Sequence, residues 1–218
     1  MFGEAEMTSI GEILRLSPVI PVLTIDDVAQ ARQIGEALMA GGLRVLEVTL
    51  RTPAALDVIR EMRRIDGAVV GAGTVLSERQ LDDCLAAGAE FAISPGLNER
   101  VVSAAAACGI PYLPGVLTAT EIMRGLDLGL SHFKFFPAAA AGGTAALKAL
   151  SAPFTDARFC PTGGITEETA SEWLKLRQVL CVGGSWLVPQ GTRDPASIEA
   201  AARRAASLHP QIEEASAS

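Results

Sequence analysis

The chain has 218 residues, room for one large domain or two small ones with a substantial core. Hydrophobic residues make up 49% and charged residues 20%, a balance that excludes disordered, collagen-like and fibrous chains. The net charge of −7 argues against nucleic acid or an anionic membrane as the main partner, while leaving room for a small anionic ligand in a local basic pocket.

The acidic N-terminus lacks the basic start and apolar run of a signal peptide, and no apolar stretch approaches the roughly 20 residues that span a bilayer. A cytoplasmic setting is expected. Met7–Leu16 predicts a short extra helix covering one end of the fold. The first strand, Val19–Ile25, has no glycine after it, which counts against the GxGxxG turn of an open dinucleotide-binding sheet. Asp26 or Asp27 caps a helix to Met39 that Gly41-Gly42 ends.

The second strand, Val45–Leu50, runs on into Arg51 with polar residues at 47, 49 and 51 and aliphatic ones at 46, 48 and 50. Strand alternation therefore predicts Glu47, Thr49 and Arg51 on the inward face. A satisfied buried Glu–Arg pair is the purely structural reading of that pattern. Thr52-Pro53 predicts a helix with proline in its first turn. The third strand, Val69–Thr74, ends in Thr74, which is read equally as a carboxylate ligand beside Arg51 or as a core or capping threonine.

Ser77-x-x-Gln80 resembles a capping box, and Gly88 closes that helix. The strands Phe91–Pro95 and Tyr112–Val116 follow, with Pro95 and Pro114 either walling a pocket or only turning the chain. The helices between and after them start at Asn98 and at Thr118-x-x-Glu121 and end at Gly109 and near Gly129.

The sixth strand, His132–Pro137, places Lys134 on one face with His132 and Phe136, and Phe133 and Phe135 on the other. A lysine amid phenylalanines in a buried strand is rare, because desolvation disfavours an ammonium. A neutral amine is what attack on a ketone requires. The remaining lysines, Lys148 and Lys175, fall in helical patterns and read as surface residues. The strands Arg158–Thr162 and Leu180–Gly183 run into Gly163-Gly164 and into Gly184-Ser185. Adjacent glycines there expose backbone amides, and barrels frequently hold phosphate after their seventh and eighth strands.

Strand starts fall 20–26 residues apart, and each interval fits one strand, one helix and two short loops. Eight such units predict a single compact (β/α)8 barrel over residues 1–218, with an open doubly wound sheet as runner-up. The ends, 1–6 and 209–218, are expected to fray. Only two histidines and four dispersed cysteines are present, so a zinc site lacks clustered ligands, and the cysteines read as core residues. Phe154 and Trp186 read as either interface or core.

Gly42–Thr52 (GLRVLEVTLRT), Val70–Leu76 (VGAGTVL), Phe91–Leu97 (FAISPGL), His132–Ala138 (HFKFFPA), Arg158–Ile165 (RFCPTGGI) and Leu180–Pro189 (LCVGGSWLVP) together resemble the 2-keto-3-deoxy-6-phosphogluconate aldolase family. These class I enzymes also act as 4-hydroxy-2-oxoglutarate aldolases. The resemblance spans Ile10 to Leu208. It implies Lys134 as Schiff-base nucleophile, Glu47 as general acid and base, and Arg51 and Thr74 as carboxylate ligands. It further implies Phe136 against the substrate and Thr162, Gly163, Gly164, Gly184 and Ser185 at the phosphate end, with Pro95 as a pocket wall. A homotrimer without metal or cofactor, serving the Entner–Doudoroff route, is implied as well. Rival readings are an aldolase for the phosphogalactonate epimer, a phosphate-binding barrel isomerase, and a sugar-phosphate sensor.

Overall fold

A computed structural model describes residues 9–189, 191–192 and 194–209. Met7, Thr8 and the ends expected to fray lie outside them, His209 excepted. The chain begins with α1 (Ile10–Arg15), β1 (Val19–Leu23), α2 (Ala31–Ala40), β2 (Val45–Thr49), α3 (Ala55–Met62), β3 (Val69–Gly73) and α4 (Glu78–Ala86). It continues through β4 (Ala92–Ile93), α5 (Glu99–Cys108), β5 (Tyr112–Leu113), β6 (Gly115–Val116), α6 (Ala119–Asp127) and β7 (His132–Phe135). The last elements are α7 (Gly143–Ser151), β8 (Arg158–Pro161), α8 (Glu167–Leu174), β9 (Val182–Gly184) and α9 (Pro195–Ala206).

Every strand pair is parallel, in the orders β5-β4-β3-β2-β1-β9 and β6-β7-β8. Two joints close these runs into the predicted barrel. Single bridges between Phe159 and Val179 and between Thr162 and Gly183 join β8 to the β9 segment. At the other joint only Pro114 separates β5 from β6, and its carbonyl accepts the Lys134 amide at 2.8 Å. The expected strand Tyr112–Val116 is thus one strand broken by a residue that cannot donate to the ladder. Phe91–Pro95 shortens to Ala92–Ile93, and Leu180–Gly183 shifts to Val182–Gly184.

Local sequence accounts for most helix starts. Ser9 with Glu12 and Thr118 with Glu121 form full capping boxes, and Asn98 caps α5. At α4, Ser77 caps as expected, but Gln80 bonds the Leu76 amide instead of the Ser77 amide. Asp27 caps a short 3-10 turn, Val28–Gln30, that leads into α2. Thr52-Pro53 does not start a helix. Thr52 instead donates its hydroxyl to the Ile25 carbonyl, and α3 begins at Ala55.

Two apolar layers result. The outer one lies between sheet and helices and holds Leu46, Val48, Phe133, Phe135 and Phe159. Trp186 and Phe154 are half-buried against it, while Leu76, Leu117, Met123 and Leu126 are exposed. The inner layer fills one end of the barrel with Ile20, Val45, Phe91, Ile93, Leu113, Cys160, Leu180 and Cys181, sealed by Ile13 and Leu14 of α1. Both α1 residues are almost fully buried, so the N-terminal helix plugs the barrel at the N-terminal strand ends. Cys84, Cys160 and Cys181 are buried as expected, but Cys108 at the end of α5 is exposed.

His132 packs against that plug. Its Nδ1 pairs with the Ser131 hydroxyl at 3.0 Å, while its buried Nε2 has no hydrogen-bond partner among the described residues. Burial lowers its pKa below the ordinary 6.5, and the nearby Arg15 and Arg158 charges lower it further. The unfolded chain therefore takes up this proton at higher pH than the folded one. The stability held by neutral His132 is complete above about pH 6.5 and is lost as pH falls through the lowered folded value. Melting temperature should drop between about pH 7.5 and about pH 5.5, and His132→Gln should flatten that slope. An equal slope in the variant would assign the effect elsewhere.

Candidate active site

The inward alternation on β2 and β7 brings two charged side chains together inside the barrel. The ring order places these strands across the barrel from one another. Glu47 is 1% and Lys134 6% exposed, and Lys134 Nζ donates to Glu47 Oε1 at 3.0 Å. A pair this buried is stable only because each charge answers the other. The Phe136 ring lies over the amine, 5.4 Å from Nζ to ring centre. Lys148 and Lys175 are exposed on the outer helices, as expected.

Room for the pair is made by small residues that sequence reasoning passed over. A Cβ on Gly73 would come within 2.2 Å of Glu47 Oε1, so β3 must carry glycine there. Gly71 equally makes way for the Phe91 ring, and Gly183 for the Thr162 side chain. The signal was present in Val70-Gly71-Ala72-Gly73-Thr74, where two glycines two residues apart fall on one strand face.

Arg51 does not pair with Glu47. β2 ends at Thr49, so alternation lapses before Arg51, which stands exposed at the C-terminal strand ends. The Leu50 amide bonds the Gly73 carbonyl at 2.9 Å, which ties the segment carrying Arg51 to the one carrying Thr74. Thr74 is half-buried with φ +64°, the one non-glycine residue in the left-handed region among those described. A β-branched residue there costs about 1–3 kcal/mol, a strain that clusters at working sites.

The other predicted positions border the same end of the barrel. Pro95 is half-buried, and its carbonyl passes so near Gly115 that a Cβ there would meet it at 2.2 Å. Thr162 points inward beside Cys160, whose carbonyl accepts its hydroxyl at 3.4 Å, so it lies deeper than the turn that follows. Gly163 and Gly164 both have left-handed backbones, with φ 102° and 73°. Gly163 also backs onto the Phe136 ring. Gly184 is buried at the end of β9, and Ser185 beyond it is exposed. Below the pair, burial above all, then the Cys160 thiol, keeps the Cys181 thiol protonated, so it is no nucleophile.

An eight-unit barrel with one buried lysine–carboxylate pair near its open end has the make-up of a lyase that works through an imine. The model of the KDPG and KHG aldolase family matches residues 10–201. A 2-dehydro-3-deoxy-phosphogluconate aldolase from Zymomonas mobilis is 53% identical over 202 residues, which cover 93% of this chain and 97% of that one. The crystal structure of a Zymomonas mobilis 2-keto-3-deoxy-6-phosphogluconate aldolase superposes with a TM-score of 0.93 at 51% identity, covering 94% of this chain and 100% of that one. A Legionella pneumophila KDPG aldolase, solved with pyruvate captured as a covalent carbinolamine, is 45% identical with a TM-score of 0.89, covering 92% and 99%. The chain belongs to the KDPG and KHG aldolase family.

Proposed function

We infer that this chain is a class I aldolase cleaving 2-dehydro-3-deoxy-6-phosphogluconate to pyruvate and D-glyceraldehyde 3-phosphate, and 4-hydroxy-2-oxoglutarate to pyruvate and glyoxylate. The observation that carries this reading is the buried Lys134–Glu47 pair at 3.0 Å. Proton transfer along that hydrogen bond leaves a neutral amine and a carboxylic acid. The amine adds to the C2 ketone, the acid protonates the departing hydroxyl, and water leaves to give a protonated imine. Glu47, again a carboxylate, takes the C4 hydroxyl proton directly or through a water. The C3–C4 electron pair flows into the imine, and the aldehyde is released. Glu47, now a carboxylic acid, gives its proton to C3 of the enamine, and hydrolysis of the imine returns pyruvate and the free lysine.

Arg51 and Thr74, on adjacent strand ends, hold the carboxylate of the 2-oxo acid. Phe136 packs on the bound pyruvyl group, Thr162 lines the inner side of the phosphate end, and Pro95 walls the pocket. The amides of Gly163, Gly164 and Gly184, with the Ser185 hydroxyl, receive the phosphate. The family resemblance supports a homotrimer acting in the cytoplasm on the Entner–Doudoroff route.

Borohydride reduction in the presence of pyruvate should fix one pyruvate-sized adduct on Lys134, read by peptide mass spectrometry. An adduct on Lys148 or Lys175, or none, would contradict the mechanism. Turnover of the phosphogalactonate epimer at the same rate would reassign the substrate while leaving the chemistry in place.

A further inference from the structure

Thr74 keeps its left-handed backbone because both neighbours are held. On one side the Gly73 carbonyl accepts the Leu50 amide. On the other, the Val75 amide donates to the Ile93 carbonyl at 3.1 Å, and the Val75 carbonyl accepts the hydroxyl of Ser94. The Ser94 oxygen in turn accepts the Tyr112 hydroxyl at 2.7 Å.

The direction of this relay is fixed. Ser94 has one hydroxyl proton and commits it to Val75, so Tyr112 must supply the other bond. Burial pushes the Tyr112 phenol up to about 12, against the opposing effect of the Ser94 bond, so it stays a donor. Ser94 is 3% and Tyr112 5% exposed, which leaves no solvent to replace either bond. Tyr112 belongs to the buried apolar layer that also holds Val75, Ala92 and Val101, a layer that packing alone would fill with hydrocarbon. The bonds that the two hydroxyls form lead to the strained turn at Thr74.

We propose that Ser94 and Tyr112 are positioning residues that hold Thr74 in its binding geometry and so set the affinity for the carboxylate of the 2-oxo acid. The proposal rests on the ligand role assigned to Thr74 above.

The test measures pyruvate half-saturation of borohydride trapping, the trapping rate at saturation, and melting temperature. The variants are Ser94→Ala, Tyr112→Phe, Thr74→Ala and the Thr74→Ala/Ser94→Ala double. Ser94→Ala should raise half-saturation about tenfold and Tyr112→Phe about threefold, with the saturated rate changed less than about twofold. In the Thr74→Ala background the Ser94→Ala effect should shrink below about twofold, because the group it positions is gone. Altered melting temperature with unchanged half-saturation would overturn the proposal, as would an undiminished Ser94→Ala effect in the double variant. Unchanged half-saturation in Thr74→Ala alone would instead overturn the ligand role on which the proposal stands, and the relay with it.

Discussion

Lys134→Ala should lower pyruvate release by about 10⁴-fold or more and abolish borohydride trapping, because neither of the other two lysines reaches the barrel interior. Lys148 and Lys175 stand on the outer helices and cannot substitute. The same change strands the Glu47 carboxylate in a site where it is 1% exposed. Breaking a buried pair in this way costs about 3–5 kcal/mol, so the variant should also melt early. Lys134→Met/Glu47→Leu removes both charges and keeps the volume. It should regain stability without regaining activity, which separates the structural from the chemical contribution of the pair. Near wild-type turnover in Lys134→Ala would end the imine mechanism.

Glu47→Gln should lower kcat by about 10²–10⁴-fold, the range for loss of a general acid and base. Pyruvate affinity should change little. The amide oxygen still accepts from Lys134, and the isosteric side chain still fits the space left by Gly73. What is lost is the capacity to take a proton and return it. Exchange of the pyruvate methyl protons with deuterated solvent, followed by NMR, should slow in step with kcat. Fast exchange with slow cleavage would assign the C3 proton to another group.

The barrel was legible because its eight units repeat at near-constant length, and Lys134 because charge in an apolar strand demands an explanation. The pairing was not legible. Lys134 and Glu47 lie 87 residues apart, and alternation says which face a side chain takes but not what it meets across the barrel. The same rule reaches Arg51 only by running two residues past the end of β2, since nothing in Val45–Arg51 marks Thr49 as the last strand residue. Pro114 gave a local sign of the broken strand, because a missing amide interrupts any ladder. The Ser94–Tyr112 relay gave none, as one hydroxyl lies just past a two-residue strand and the other within one, and neither carries a periodicity. Thr52-Pro53 misled because its hydroxyl found a distant carbonyl instead of a helix to cap.

The helix that plugs the barrel has a consequence for traffic. With Ile13 and Leu14 closing one end over an apolar floor, the barrel interior is a cul-de-sac, entered and left from the other end. On the function proposed above, a fragment bonded to Lys134 lies behind one that rests on the glycine turns at the rim. That arrangement has the aldehyde fragment vacate before the pyruvyl fragment leaves. In the synthetic direction pyruvate must load before the aldehyde arrives, so the order of events follows from depth alone.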